Sequence, residues 1–83
     1  MLITIYGREN CPFCTKAKEL AESIETAETI YIDLARHGMT KADLQKTVGK
    51  PVETVPQIFV EGIHVGGFTE FQAKMKAENL IDD

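Results

Sequence analysis

With 83 residues the chain has room for one domain, residues 1–83, near the small end of what folds without staples, and so for one site. Apolar residues at 43% and charged residues at 27% exclude a disordered tail. A formal charge of -4 with scattered basic residues excludes the basic face of a nucleic-acid binder, and no stretch reaches the ~20 apolar residues of a membrane span.

Leu2 to Tyr6 is apolar and β-branched or aromatic, then Gly7-Arg8-Glu9-Asn10 breaks the run, which predicts a buried strand ending in a loop. From Pro12 to about Glu25, Cys14, Ala17, Leu20, Ala21 and Ile24 recur at three- and four-residue steps, the pattern of an amphipathic helix. Pro12 suits its first position, where a missing N–H costs nothing, and this sets Cys11 at the N-cap. Thr29 to Leu34 predicts a second strand, parallel to the first because a helix lies between them.

Thr40-Lys41-Ala42-Asp43 predicts a capped short helix with Leu44 and Val48 on one face and Gly49 as its stop. Gln57 to Val60 and Ile63 to Val65 flank Glu61-Gly62, a two-residue turn joining antiparallel strands. After Gly66-Gly67, Thr69-Glu70-Phe71-Gln72 suggests a second capping box, with a last helix to about Glu78 that turns Phe71 and Met75 inward. The acidic end Asp82-Asp83 reads as solvated chain. The order β-α-β-α-β-β-α predicts an α/β fold, a four-stranded mixed sheet flanked by three helices.

Cys11 and Cys14 are too close in sequence for their disulfide to stabilise much chain. The start Met1-Leu2-Ile3-Thr4-Ile5 lacks the basic region and cleavage site of a secretory signal, so the expected location is cytoplasmic. In a reducing compartment such a pair is redox-active or metal-binding, and beside a βαβ pattern it reads as thioredoxin-like. At a helix N-cap, the Cys11 sulfur meets unpaired N–H groups and the positive helix end, which favour thiolate and lower its pKa from ~8.5 into the range of about 3.5 to 7.5. Cys14, one turn in on the inward face, is the less acidic partner. Cys11 is therefore the expected nucleophile and Cys14 the resolving thiol.

Three segments taken together, Gly7-Arg8-x-x-Cys11-Pro12-Phe13-Cys14, Thr54-Val55-Pro56-Gln57-Ile58-Phe59-Val60 and Gly66-Gly67-Phe68-Thr69-Glu70, resemble the glutaredoxin family. The resemblance covers the whole chain, and the run Gly49-Lys50-Pro51-Val52-Glu53-Thr54-Val55-Pro56-Gln57 is similar to the small bacterial dithiol members. It implies a monomer with no tightly bound cofactor that reduces protein disulfides and glutathione mixed disulfides, with glutathione as co-substrate. Ribonucleotide reductase is the family's best-known protein substrate.

Carried over by motif, Pro56 is the cis-proline facing the cysteines, and the backbone of Thr54 and Val55 pairs with the cysteinyl part of glutathione. Thr69 and Glu70 hold the γ-glutamyl end, with backbone N–H groups taking its carboxylate. Arg8 takes the glycine carboxylate or supports the thiolate. By their positions beside the cysteines and the double glycine, Phe13 and Phe68 read as a peptide-binding wall rather than plain core, and Gly66-Gly67 either ends a strand or lets substrate backbone approach closely. Phe13 and Phe68 depart from the tyrosines common in such members, and Glu70 departs from aspartate.

Competing readings are a zinc site, against which neither His37 nor His64 has a finger-like spacing, and a glutathione-linked [2Fe-2S] carrier, against which Pro12 resembles the redox-active members. A redoxin recharged by thioredoxin reductase is a third, for which Gly67-Phe68-Thr69-Glu70 is the wrong signature. His64 reads as an edge-strand side chain and His37 as a loop residue, neither catalytic.

Overall fold

Strand β1 (Leu2–Gly7) alternates half-buried and fully buried side chains, the period of two expected when a single sheet face is thoroughly covered. The computed structural model describes residues 1–82; Asp82 is exposed, and Asp83 lies outside the described residues. The elements after β1 are α1 (Pro12–Glu22), β2 (Glu28–Asp33), α2 (Lys41–Val48), β3 (Gln57–Val60), β4 (Ile63–Gly66) and α3 (Phe68–Ala77). They form one four-stranded sheet in the order β2-β1-β3-β4.

β1 pairs parallel with β2 and antiparallel with β3, and β3 pairs antiparallel with β4, so the sheet is mixed as its element order predicts. Ile5 stands opposite both Tyr31 and Ile58, and Ile3 opposite Thr29 and Val60. Ile3, Ile5, Ile58 and Val60 thus share one face, where they pack with Ala17, Ala21, Phe71 and Met75 from α1 and α3. Each large side chain buried there contributes roughly 1.5–3 kcal/mol. Helix α2 packs on the sheet far more sparingly, through Leu44.

Several boundaries differ from expectation: β1 runs one residue further, to Gly7, and β2 lies one residue earlier, at Glu28–Asp33. Helix α1 ends at Glu22 instead of Glu25, yet Ile24 is still buried in the core, from the turn that follows. Strand β4 runs on to Gly66. Helix α3 begins at Phe68 with Gly67 as its N-cap, two residues before the capping box read from Thr69. Glu70, three residues into that turn, accepts the Gly67 N–H at 2.8 Å, and glycine has no side chain to reciprocate.

The Thr40 cap of α2 forms as read: Thr40 Oγ1 accepts the Asp43 N–H at 3.1 Å and Asp43 accepts the Thr40 N–H at 2.9 Å. Gly49 closes α2 with a φ of 88°, which glycine adopts without strain. In the hairpin, Glu61 and Gly62 both take positive φ, 52° and 78°, the conformation of a tight two-residue turn whose twist matches the strands. Glu61 then accepts the Leu2 N–H at 3.2 Å, fastening the turn to the start of β1.

Candidate active site

The loop leaving β1 decides where the cysteines go. Asn10 takes a φ of 55°, reversing the chain just before Cys11, and asparagine tolerates that region better than most residues. Tyr31 donates its hydroxyl to the Arg8 carbonyl at 3.2 Å, holding the loop from β2, and Lys18 sits 5.5 Å above its ring. Burial, followed by the nearby Asp33 charge, raises the Tyr31 pKa, so this hydroxyl keeps its proton.

Cys11 is the N-cap of α1, in extended conformation at φ -118° and ψ 103°, with Pro12 in the first turn. Its sulfur accepts the backbone N–H of Cys14 at 3.3 Å, the bond that a capping oxygen makes at other helices. The two sulfurs are joined as a disulfide with the Cα atoms 5.2 Å apart. Both cysteines are buried, Cys14 completely and Cys11 at 6% exposure, so the expected order holds with a smaller difference than a surface nucleophile suggests. Cys11 Sγ lies 3.8 Å from the Val55 carbonyl oxygen.

That carbonyl belongs to the segment leading into β3, and the Val55–Pro56 peptide bond is cis. Phe13, Thr54, Val55, Pro56, Gly67, Phe68, Thr69 and Glu70 line one open cavity of about 270 Å³. Three segments far apart in sequence, the start of α1, the loop before β3 and the start of α3, thereby meet beside Cys11. The rings of Phe13 and Phe68 lie 6.1 Å apart at 35°, and Lys16 Nζ sits 5.2 Å from the Phe13 centroid. The first N–H groups of α3 have no partner within the helix and mark a favourable end for an anion.

Arg8 lines a different, adjoining cavity of about 300 Å³ with Lys41, Leu44 and Val52; the two cavities share Thr54 and Val55. Lys41, which pairs with Glu53, is a cation that the sequence did not single out, because α2 is remote from the cysteines along the chain. The double glycine has an additional local cause. A Cβ on Gly66, whose φ is 130°, would stand 3.0 Å from Glu70 Oε1, so glycine lets the Glu70 carboxylate fold back onto Gly67.

His37 is exposed, with Nδ1 3.1 Å from the Asp33 carbonyl oxygen, away from the cavity. His64 is an edge-strand residue, as read, but half-buried, and its Nε2 lies 2.7 Å from Gln57 Oε1. Among the described residues, no three His, Cys, Asp or Glu side chains are grouped to hold a metal ion. Among them too, no helix is long and apolar enough to cross a membrane.

Residues 3–65 match the family model described as Glutaredoxin. The chain belongs to the glutaredoxin family. It is 56% identical to Glutaredoxin 1 of Salmonella typhimurium across 96% of this chain and 95% of that protein. Its fold is similar to that of reduced Escherichia coli glutaredoxin, with a TM-score of 0.85 at 47% identity over 95% of this chain and 98% of the other. It is also similar to buckwheat glutaredoxin solved as a glutathione complex, with a TM-score of 0.75 at 25% identity over 94% of this chain and 71% of that one. This glutaredoxin is accordingly a thiol-disulfide oxidoreductase with a thioredoxin-like fold and a Cys11–Cys14 dithiol motif.

Proposed function

We propose that this chain reduces glutathione mixed disulfides and protein disulfides with glutathione as its electron source, acting as a cytoplasmic monomer of one domain. The observation that carries this reading is the cavity beside Cys11, walled by two phenylalanines and opening onto the first turn of α3. Those features suit a small anionic peptide presenting a sulfur. The Val55 backbone, in contact with Cys11, lies where a bound cysteinyl unit needs a pairing partner. The glutathione complex of the buckwheat relative supports the same ligand class.

In this reading Thr54 and Val55 pair with the cysteinyl backbone, with Pro56 behind them, while Phe13, Gly67 and Phe68 form the wall. Thr69 and Glu70 hold the γ-glutamyl end. Arg8, from the adjoining cavity, reaches the glycine carboxylate. One Glu70 oxygen is already engaged by the Gly67 N–H, which leaves the other for the glutathione amino group.

The Cys11 thiolate attacks one sulfur of the substrate disulfide; that bond breaks, one thiolate leaves and takes a proton from water, and a mixed disulfide remains on Cys11. With a protein substrate, Cys14 attacks Cys11 Sγ, releasing the second substrate thiol and forming Cys11–Cys14. One glutathione thiolate then attacks Cys11 Sγ and frees Cys14, and a second attacks the glutathione sulfur, producing glutathione disulfide and the dithiol. With a glutathionylated substrate, attack leaves glutathione on Cys11 and the second glutathione suffices. Ribonucleotide reductase, the family's best-known protein substrate, is the proposed protein partner.

A coupled assay with a small glutathione mixed disulfide, glutathione, glutathione reductase and NADPH tests this. Turnover in the native chain that Cys11→Ser abolishes and Cys14→Ser retains is the expected result. No turnover with glutathione, together with turnover when thioredoxin reductase replaces it, overturns the reading in favour of a differently recharged redoxin.

A further inference from the structure

The segment Thr54-Val55-Pro56 lies outside the strands and helices, so its backbone groups need partners from elsewhere to hold one conformation. Gln57, the next residue and the first of β3, supplies one. It is 6% exposed, and its Nε2 donates to the Thr54 carbonyl at 2.9 Å while its Oε1 stands 2.7 Å from His64 Nε2. His64 is on β4, with its ring 5.2 Å from that of Phe59. The side chain of Gln57 therefore spans from the edge strand to the cavity wall.

The direction of these bonds follows from what each atom can do. A carbonyl only accepts, so the amide NH2 of Gln57 faces Thr54, and the remaining Oε1, also only an acceptor, requires a donor at His64 Nε2. Turning the amide over would set its oxygen against the Thr54 oxygen in a buried place, which is costly.

We propose that Gln57 and His64 are positioning residues: His64, as an Nε2–H donor, orients Gln57, and Gln57 fixes the Thr54 carbonyl so that the Val55 backbone stands in register for glutathione. Neither touches the reacting sulfurs. This rests on the glutathione reading of the site. Burial, followed by the charge of Lys50, lowers the His64 pKa, so at neutral pH the ring is neutral, with its single proton on Nε2. Cys11 draws its reactivity from the α1 N-terminus, so loosening the clamp weakens substrate binding and leaves the intrinsic reactivity of the thiolate intact.

Gln57→Glu keeps the shape and the acceptor for His64 but presents a second acceptor to the Thr54 carbonyl. The expected result is a KM for a glutathionylated peptide raised about tenfold, with kcat changed less than about twofold. The rate of Cys11 alkylation by iodoacetamide stays at the native value. His64→Ala, on a half-buried edge position, raises KM about threefold, and His64→Gln, which restores an N–H donor, recovers most of it. Long-range proton–nitrogen NMR of the native chain is expected to show His64 protonated at Nε2 and bare at Nδ1.

Native KM in both Gln57→Glu and His64→Ala, or a His64 proton on Nδ1, overturns the clamp. If Gln57→Glu melts below the assay temperature, His64→Ala and the tautomer decide. If the native chain shows no saturable dependence on glutathionylated peptide, the glutathione reading has failed; native saturation with unaffected variants defeats the clamp alone.

Discussion

The backbone N–H of Cys14 points at the sulfur of Cys11 from 3.3 Å, so the residue read as the resolving thiol also solvates the residue read as the nucleophile. In the reduced chain that bond and the helix end favour negative charge on Cys11. The pH profile of alkylation should therefore show Cys11 already reactive at neutral pH, with a midpoint well below the ~8.5 of a free thiol. A midpoint at the free-thiol value would refute this assignment. Iodoacetamide labelling with peptide mapping separates Cys11 from Cys14.

Gly66 carries a φ of 130° and leaves room for Glu70, whose Oε1 would lie 3.0 Å from an added Cβ. Gly66→Ala is expected to destabilise the fold by about 1–3 kcal/mol, measured as a shift in urea midpoint. Adding Glu70→Ala removes the Oε1 and Cγ contacts, at 3.0 and 3.1 Å, but keeps the residue 70 Cβ at 3.2 Å and the backbone strain, so it recovers only part of the loss. Full recovery would mean that the contact, not the dihedral, sets the cost.

Asp43 has its pKa lowered first by the Thr40 backbone N–H, then by the Thr40 hydroxyl. A carboxyl depressed on folding contributes stability that is present above its unfolded value of 3.8 and lost as pH falls through the folded value. Thr40→Ala should cost about 1 kcal/mol at neutral pH. It should also flatten the acid limb of the stability profile below about pH 4, but only in part, since alanine removes the hydroxyl's share of the depression and keeps the backbone N–H, whose share is the larger. An unchanged acid limb would contradict the coupling.

Phe13 is 55% exposed although it sits one turn from the core, and its ring meets Phe68 and Lys16. Phe13→Ala should change stability by less than about 1 kcal/mol yet raise KM for glutathionylated peptide several-fold. Phe13→Tyr should retain native KM or improve on it. Parallel melting curves and Michaelis–Menten kinetics distinguish a binding wall from ordinary surface.

The strands were legible because β-branched runs bounded by Gly and Pro have few other outcomes, and Pro12 fixed the start of α1 and hence the N-cap at Cys11. The end of α1 was harder. Ile24 extends the helical spacing past Glu22 because it is buried from a turn, and apolar periodicity reports burial rather than hydrogen bonding. At α3 the cap read at Thr69 with Gln72 gave way to Gly67, whose N–H is accepted by Glu70, a cap with no side chain of its own to mark it in sequence, and Phe68 falls in the first turn. The Gln57–His64 bond joins strands across a bulged register at Ile58 and Phe59, and Lys41 reaches the Arg8 cavity from α2; neither contact has a signature in sequence spacing.

The most direct test of the central claim, that Cys11 is the attacking sulfur, is mass spectrometry of single-cysteine variants after exposure to glutathione disulfide. Cys14→Ser should take up one glutathione on Cys11 within the time of a few turnovers, and Cys11→Ser should take up almost none on the buried Cys14. Equal or faster modification of Cys14 in Cys11→Ser would contradict the division of labour between the two cysteines.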